Sequence, residues 1–361
     1  MIKRHVKDLA RSYGGITVIA LESPWGNWAF STEIVKKHKM SRFALGRYSR
    51  YISRLKPLPH LNNPLLFSSS ATSNRVDAAC QTGPPPIRVG LTESAGRAVF
   101  ATRRIGCGDL IHTAKPVLTC PSLLSLDSVC YLCLKKLMGS SAKFQDRGVS
   151  YCSQECQDNA KVLSLASLCD VWTHNFKYPL MVKRLSCMVI SGALSADCLD
   201  ILQPATLSSA MISKIEDGYG LLWNAFRKAN FTDDDVAFLT KQWYTGILAR
   251  IRINAFRIDL VGGSCGEDLL SLAAASVEGE GAVGHAVYML PSFYNHDCDP
   301  NAHIFWLQNA DARLMTLRDV EEGEELRICY IDASMGYEAR QTLLSQGFGF
   351  CCNCLRCQAR D

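Results

Sequence analysis

The sequence predicts a mainly β protein of the α+β class, with a helical insert and two small zinc modules. Residues 157–250 show helical periodicity. Eight of the cysteines fall into two sets of four with the spacing of metal ligands. Short alternating stretches in the C-terminal half predict strands at His285–Leu290, His303–Gln308, Arg313–Leu317 and Leu326–Ile331.

Composition excludes several classes of protein. The length of 361 residues allows two or three domains. The residues are 48% apolar, but no uninterrupted apolar run approaches the length of a membrane span. The 17 cysteines are an odd number, and the sequence shows no well-formed secretory signal. Zinc in a reducing compartment is therefore favoured over a disulfide framework, and the nine cysteines outside the two sets are expected to be packing residues.

Charge is distributed unevenly along the chain. Residues 1–89 hold 14 Lys and Arg against 4 Asp and Glu, whereas residues 90–361 hold 25 against 30. The acidic body favours a basic protein substrate over a nucleic-acid backbone and gives no indication of sequence-specific nucleic-acid binding.

Residues 1–86 do not read as a folded domain. The segment is rich in Arg and Ser and poor in acidic residues, and Arg42–Leu55 is amphipathic. This pattern is typical of an organelle transit peptide, and the alternative is a disordered basic arm that binds acidic partners. The run Thr82–Pro86 ends the region as a linker.

The body opens with Ala95–Ala101, which leads into Thr102–Asp109, and Leu110–Leu118 reads as a second strand. Cys130 and Cys133 follow, then Cys152 and Cys156 within Tyr-Cys-Ser-x-x-Cys-Gln. That heptapeptide resembles the second half of a MYND zinc finger. Such a finger has four cysteine pairs and two zincs; because the second pair is missing here, we expect a reduced finger with one zinc.

The region after the finger is expected to be a helical insert. Thr232–Asp235 has helix N-cap character, with apolar residues following at helical spacing from Val236 to Ile251. The glycine-rich stretch Gly262–Gly284 is expected to be a surface loop with a short helix.

Three ordered segments complete the chain: Asn295–Asn301 (Asn-His-x-Cys-x-Pro-Asn), Glu325–Tyr330, and a tail containing Cys352, Cys354 and Cys357. Together they resemble the core of SET-domain protein lysine methyltransferases of the SMYD group, and among these the shorter, plant trithorax-related histone-lysine methyltransferases. The resemblance implies a SET fold, a β-clip whose C-terminal segment is threaded.

It divides the chain into a first SET part (87–129), the finger (130–156), a helical insert (157–250), the SET core (251–333) and a post-SET zinc module (334–361).

The resemblance also implies roles for individual residues. Tyr330 would be the catalytic residue, and a tunnel for the substrate lysine would be lined by Phe256, Tyr288 and Phe348. S-adenosylmethionine would be bound by Gly96, Arg97, Ala98, Asn295, His296, Tyr330 and Phe350. The segment Ala95–Asp109 resembles the family's first hairpin. Ala98 stands where that hairpin has the second glycine of a Gly-x-Gly turn, which is tolerable only if its backbone angle is ordinary.

Three clustered cysteines in the tail are one ligand short of a tetrahedral zinc site. Cys298 would complete it and fix the tail to the Asn-His loop; a disulfide is the alternative. Two zinc ions are thus expected, one with Cys130, Cys133, Cys152 and Cys156 and one with Cys298, Cys352, Cys354 and Cys357.

The implied function is S-adenosylmethionine-dependent methylation of a protein lysine, with a histone tail as the expected substrate of a monomeric enzyme. Such an enzyme would act in the nucleus, whereas a transit peptide would favour a methyltransferase of a non-histone organellar protein. Two other readings remain: a catalytically weak zinc-finger scaffold and a zinc-dependent DNA binder.

Overall fold

The computed structural model describes residues 21–22, 28–29, 84–137, 144–146, 148–161, 177–261 and 282–361. The predictions for residues 1–83 and for the loop at 262–281 therefore lie outside the described residues, apart from the backbone of two short paired strands. No helix in the described part of the chain is long and apolar enough to cross a membrane.

Fourteen strands are described, none of them longer than six residues. They are β1 Leu21–Glu22, β2 Trp28–Ala29, β3 Ile87–Thr92, β4 Gly96–Ala101, β5 Leu110–Ala114, β6 Leu118–Pro121, β7 Phe144–Asp146, β8 Val149–Tyr151, β9 Ala255–Ile258, β10 Gly284–Val287, β11 Asn295–His296, β12 Ala302–Phe305, β13 Ala312–Thr316 and β14 Glu325–Ile328. The helices are α1 Gln154–Ala160, α2 Lys177–Ile190, α3 Ser209–Lys228, α4 Lys241–Asn254, α5 Tyr337–Phe348 and α6 Leu355–Gln358.

The predicted first hairpin is present as the antiparallel pair β3–β4. It belongs to a four-stranded sheet of order β11-β14-β4-β3, in which β11 runs parallel to β14. This pairing sets Asn295 beside Arg327 and His296 beside Ile328, so the two predicted functional segments are neighbours in one sheet.

The single strand expected over Leu110–Leu118 is wrong, because the chain changes sheet there. Strand β5 pairs with β13, whereas β6 pairs with β10 in a second three-stranded sheet of order β6-β10-β9. Pro116 lies at the break; it has no N–H to donate to a ladder, which suits a position between two sheets.

The helical insert is present, but its last helix begins later than predicted. Thr232 caps only a local turn. Its hydroxyl and its backbone N–H donate to the Asp235 carboxylate, and its hydroxyl accepts from the N–H of Asp235. The helix α4 starts after Thr240, whose hydroxyl accepts a hydrogen bond from the N–H of Trp243. Three consecutive aspartates favour turns over helix interiors, which explains the displaced start.

Two large apolar clusters form the core. One lies between the SET sheets and contains Val99, Ile258, Leu314 and Leu326, all at most 1% exposed. The other is formed by the helices of the insert packing on β6 and β10. Phe293 packs against both clusters, so the insert is continuous with the sheets that carry the site.

Candidate functional site

Tyr330 lies just beyond the end of β14 and is held at both ends. Its backbone N–H donates to Nδ1 of His296 (3.0 Å), and its hydroxyl donates to the backbone oxygen of Tyr294 (2.6 Å). Its ring centroid lies 5.0 Å from that of Phe348 and 6.4 Å from that of Phe350. Four predicted site residues, His296, Tyr330, Phe348 and Phe350, are thus brought together.

The hydroxyl of Tyr330 stays protonated near neutral pH. Burial, and secondarily the negative charge of Glu325, raises its pKa above the ordinary value. With its proton directed to the carbonyl of Tyr294, the hydroxyl oxygen keeps its lone pairs free to accept a hydrogen bond from another group.

His296 joins the tyrosine to the cysteine cluster of the tail. Burial is the main reason that its pKa falls to about 4, so the imidazole is neutral. Because Nδ1 accepts the N–H of Tyr330, the ring proton belongs on Nε2, which lies 3.2 Å from Sγ of Cys298. The imidazole therefore bridges one predicted zinc ligand and the backbone of the predicted catalytic residue.

Asn295 faces the first hairpin. Its amide nitrogen donates to the backbone oxygen of Arg97 (3.3 Å) and to the carboxylate of Glu325 (2.8 Å). The amide oxygen has no hydrogen bond within the described part of the chain, so it can accept one from a ligand. Gly96, the first residue of β4, has φ of +71° and open space where a side chain would be.

Arg97 links the hairpin to the helical insert. Its guanidinium donates to the backbone oxygen of Ile201 and lies 5.3 Å above the ring centroid of Phe293. Ala98 is fully buried in β4, and its φ is not positive. Its ordinary backbone angle meets the condition set by the missing glycine.

The tail cluster brings Cys298 to the three cysteines of the tail, as predicted. The four sulfur atoms lie within 4.8 Å of one another, and Sγ of Cys298 is 3.5 Å from that of Cys357 and 3.9 Å from that of Cys352. Sulfur atoms held tetrahedrally at about 2.3 Å from one zinc lie about 3.8 Å apart, so the set fits the ion. All four cysteines are free thiols, not disulfides.

A buried arginine accompanies this cluster. Arg340, on α5, has no exposed surface; it donates to the backbone oxygens of Met335 (2.7 Å) and Asp361 (2.6 Å), and its Nη2 is 3.7 Å from Sγ of Cys357. Burial opposes ionisation of the Cys357 thiol, but the Arg340 guanidinium and neighbouring thiols lower its pKa. The cation thus favours the thiolate that a metal requires.

The finger cluster consists of Cys130, Cys133, Cys152 and Cys156, whose sulfur atoms also lie within 4.8 Å of one another. Sγ of Cys152 is 3.5 Å from Sγ of both Cys133 and Cys156. The donor set is that of a tetrathiolate zinc site. Among the described residues these two cysteine clusters are the groups able to hold a metal ion.

The SET domain family model matches residues 96–331, which contain the hairpin, the Asn-His loop and Tyr330. The chain belongs to the SET-domain family. The mainly β SET fold predicted from the sequence is thereby confirmed.

Relatives of this SET-domain chain support the same family. It is 82% identical over 331 residues to the histone-lysine N-methyltransferase ATXR4 of Arabidopsis thaliana, covering 89% of the chain and 100% of that protein. It is 22% identical to a SET and MYND domain-containing protein of Dictyostelium discoideum, over 69% of the chain and 77% of that protein. A crystal structure of the SET domain of LSMT bound to lysine and AdoHcy matches at 10% identity, with a TM-score of 0.34, over 87% of the chain and 58% of that one; this likeness is too low for comparing residues.

Phe256 and Tyr288, predicted to line the lysine channel, lie together in the core of the SET domain. Their ring centroids are 5.6 Å apart, and Phe256 also contacts Trp306. The Tyr288 hydroxyl is fully buried; it donates to the backbone oxygen of Ala310 and accepts from Nε1 of Trp306. Within the described residues, neither ring contacts that of Tyr330, so their place in a channel stays a prediction.

Two residues near the site had no signal of their own in the sequence. Tyr294 supplies the carbonyl for Tyr330, and its own fully buried hydroxyl is 3.0 Å from Nε2 of His112. Tyr294 could have been suspected from its position just before Asn295. Arg340 could not, because a single arginine in a predicted helix is ordinarily exposed.

Proposed function

We propose that this chain is an S-adenosylmethionine-dependent protein lysine N-methyltransferase whose substrate class is histone lysine. The carrying observation is the position of Tyr330, a protonated hydroxyl fixed by Tyr294 and surrounded by His296, Phe348 and Phe350. The 82% identity to a plant histone-lysine methyltransferase over most of the chain supports this choice.

The residues around Tyr330 fit a cationic cofactor. Aromatic faces and the unpaired amide oxygen of Asn295 suit a sulfonium and its polar amino-acid end, and the open backbone at Gly96 leaves room beside them. S-adenosylmethionine, when bound, supplies an electrophilic methyl group on sulfur.

The protein has to provide a neutral amine in line with that methyl group. A lysine with a pKa near 10.4 is neutral in only about one molecule in a thousand at pH 7.4, a cost of roughly 4 kcal/mol. An apolar, aromatic channel that includes Phe348 would lower the amine pKa by desolvation. The hydroxyl oxygen of Tyr330, its own proton held by Tyr294, then accepts a hydrogen bond from the amine and aligns it.

Both cysteine clusters are proposed to hold zinc. In the tail, Cys298, Cys352, Cys354 and Cys357 would bind the ion and fix Phe348 and Phe350 against the Asn-His loop. In the finger, the ion would be bound by Cys130, Cys133, Cys152 and Cys156. Neither ion takes part in the methyl transfer.

Replacing Tyr330 with phenylalanine tests the enzymatic proposal. We expect methyl transfer from labelled cofactor to core histones to fall about 100-fold or more, with cofactor affinity in calorimetry little changed. Tyr219→Phe is the matched control, since it also removes one hydroxyl bonded to a backbone carbonyl, that of Leu239, but in the insert. A wild-type protein that binds no S-adenosylmethionine would instead support the scaffold.

The substrate class is tested separately. The basic N-terminal region is the observation that favours a non-histone organellar target. Labelling nuclear and organellar extracts with wild type and Tyr330→Phe distinguishes the two. If labelled bands that depend on Tyr330 appear only in an organellar extract, the methyltransferase activity is supported and histone is rejected as its substrate.

A further inference from the structure

The turn Cys130–Leu134, which carries the first two ligands of the finger, is bonded at several points to the SET domain. The backbone oxygen of Leu132 accepts from the hydroxyl of Thr119 on β6 (2.5 Å). The backbone oxygen of Cys133 accepts from the N–H of Ala310, in the turn between β12 and β13 (2.8 Å). Strand β6 and the turn before β13, which are distant in sequence, therefore bind adjacent carbonyls of this cysteine-bearing turn.

A third carbonyl of the same turn is bound by the helical insert. Arg184, on α2 and 5% exposed, donates from Nη2 to the backbone oxygen of Tyr131 (2.9 Å). Its guanidinium carbon also lies 4.3 Å from the centroid of the Tyr131 ring. The carbonyls of three successive residues thus bind the first SET part, the insert and the SET core.

Leu134 inserts from this turn into the core between the SET sheets. It is 0% exposed, although its φ is +62°, a conformation that leucine rarely adopts. It packs on Gly284 of β10, where an added Cβ would lie 2.9 Å from Cδ1 of Leu134 and 2.5 Å from the backbone oxygen of Cys120. A strained backbone persists where its surroundings hold it; here the neighbouring ligand Cys133 and the close fit on Gly284 do so.

The connection continues toward the predicted channel. The backbone N–H of Ala310 donates to the backbone oxygen of Cys133, and the backbone oxygen of Ala310 accepts from the hydroxyl of Tyr288. Tyr288 in turn contacts Phe256. The finger turn and the aromatic cluster are thus both bonded to the backbone of one residue, Ala310.

We propose that the finger is a metal-held clamp on the SET domain, in which zinc fixes the Cys130–Leu134 turn so that Leu134 and three carbonyls join β6, α2 and the turn before β13. The inference rests on the proposed zinc in the finger. A module that served mainly to recruit partners would leave these carbonyls in water and could move independently of the catalytic domain. Finger metal and SET stability are instead coupled, and by linkage each affects the other.

The test weakens the SET side of the contact and reads the metal. Wild type, Leu134→Ala and Thr119→Val are challenged with a zinc chelator, and the cysteines that become alkylated over time are identified by peptide mass spectrometry. We expect the finger cysteines to react about tenfold faster in both variants, although neither residue is a ligand, and the tail cysteines to react as in wild type. Leu222→Ala, at an equally buried leucine of the insert, is the control that lowers the melting temperature without releasing finger metal.

The reciprocal arm removes a ligand with Cys156→Ser and follows thermal unfolding of the whole chain. We expect one transition, lowered by about 5 °C or more. Finger cysteines protected as in wild type in both Leu134→Ala and Thr119→Val, or an unchanged transition in Cys156→Ser, would overturn the clamp. The clamp would also be overturned if the finger cysteines of the wild type were alkylated at once without chelator. Methyl transfer by that same sample would show that the proposed methyltransferase activity does not depend on the clamp.

Discussion

Arg340→Met asks whether the buried guanidinium is the counter-charge of the tail metal site. Methionine has similar bulk and no charge, so it leaves the helix α5 intact while removing the donors to Met335, Asp361 and Cys357. The last of these carries the argument, because four thiolates around one divalent zinc leave two negative charges in a buried site.

The expected magnitude follows from the kind of contact. Replacing a residue that hydrogen-bonds to a metal ligand commonly weakens metal affinity about 10- to 100-fold, or about 1.4–2.8 kcal/mol. Arg340 has no exposed surface, so water cannot replace it as donor, and the upper half of that range is expected. Arg340→Lys keeps the charge but not the planar fork and should fall between wild type and Arg340→Met.

The assay is chelator competition with mapping of alkylated cysteines, which separates the tail from the finger within one sample. The finger cluster is the internal reference and should respond as in wild type. Arg104→Met is the external control, because Arg104 is an exposed arginine that pairs with Asp319 and Glu321 on the surface. Equal release from both clusters, or the same zinc affinity in the tail of Arg340→Met and Arg104→Met, would refute the counter-charge.

Two further predictions concern the SET core. Burial lowers the pKa of His303 to about 4, below its ordinary 6.5, so the stability contributed by its neutral form is complete above pH 6.5 and is lost as pH falls toward 4. The free energy of unfolding of His303→Leu, measured with urea, should lack that loss of up to about 3 kcal/mol. If the free energies of the variant and the wild type fall in parallel from pH 7 to 4, the prediction is wrong. Asn301→Asp places a carboxylate against the carboxylate of Glu324 and the backbone oxygen of Glu325, where the amide now donates; we expect about 2 kcal/mol or more of destabilisation, and an unchanged urea midpoint would count against this pairing.

The features predicted well from the sequence are those specified by short spacings. Two cysteines three or four residues apart can share a metal whatever the rest of the fold does, and the sulfur atoms of each pair do lie together. Cys298 is 54 residues from Cys352, and its place in the tail cluster was expected from the family resemblance. The first hairpin was expected from the same resemblance; it is present as β3–β4, with its turn before Gly96.

The errors arise where tertiary contacts override a local pattern. Val236 and Leu239 are buried as helical spacing suggested, yet the chain forms turns there. The helix begins only after the N-cap residue Thr240. The strand around Pro116 divides because its two halves find partners in different sheets. Arg340 was unpredictable for the same reason, since its burial depends on the chain folding back so that Asp361 covers it.

The two cysteine clusters differ in what surrounds them, and this argues for different tasks. The tail cluster reaches Tyr330 through one imidazole, Cys298 Sγ to His296 and His296 to the Tyr330 N–H, so displacement of the proposed zinc would disturb the loop that carries the proposed catalytic residue. The finger cluster reaches the SET domain through backbone carbonyls and Leu134, and none of these contacts involves Tyr330. Loss of the tail metal should therefore abolish methyl transfer before the fold melts, whereas loss of the finger metal should lower stability first and activity only as the sheets loosen.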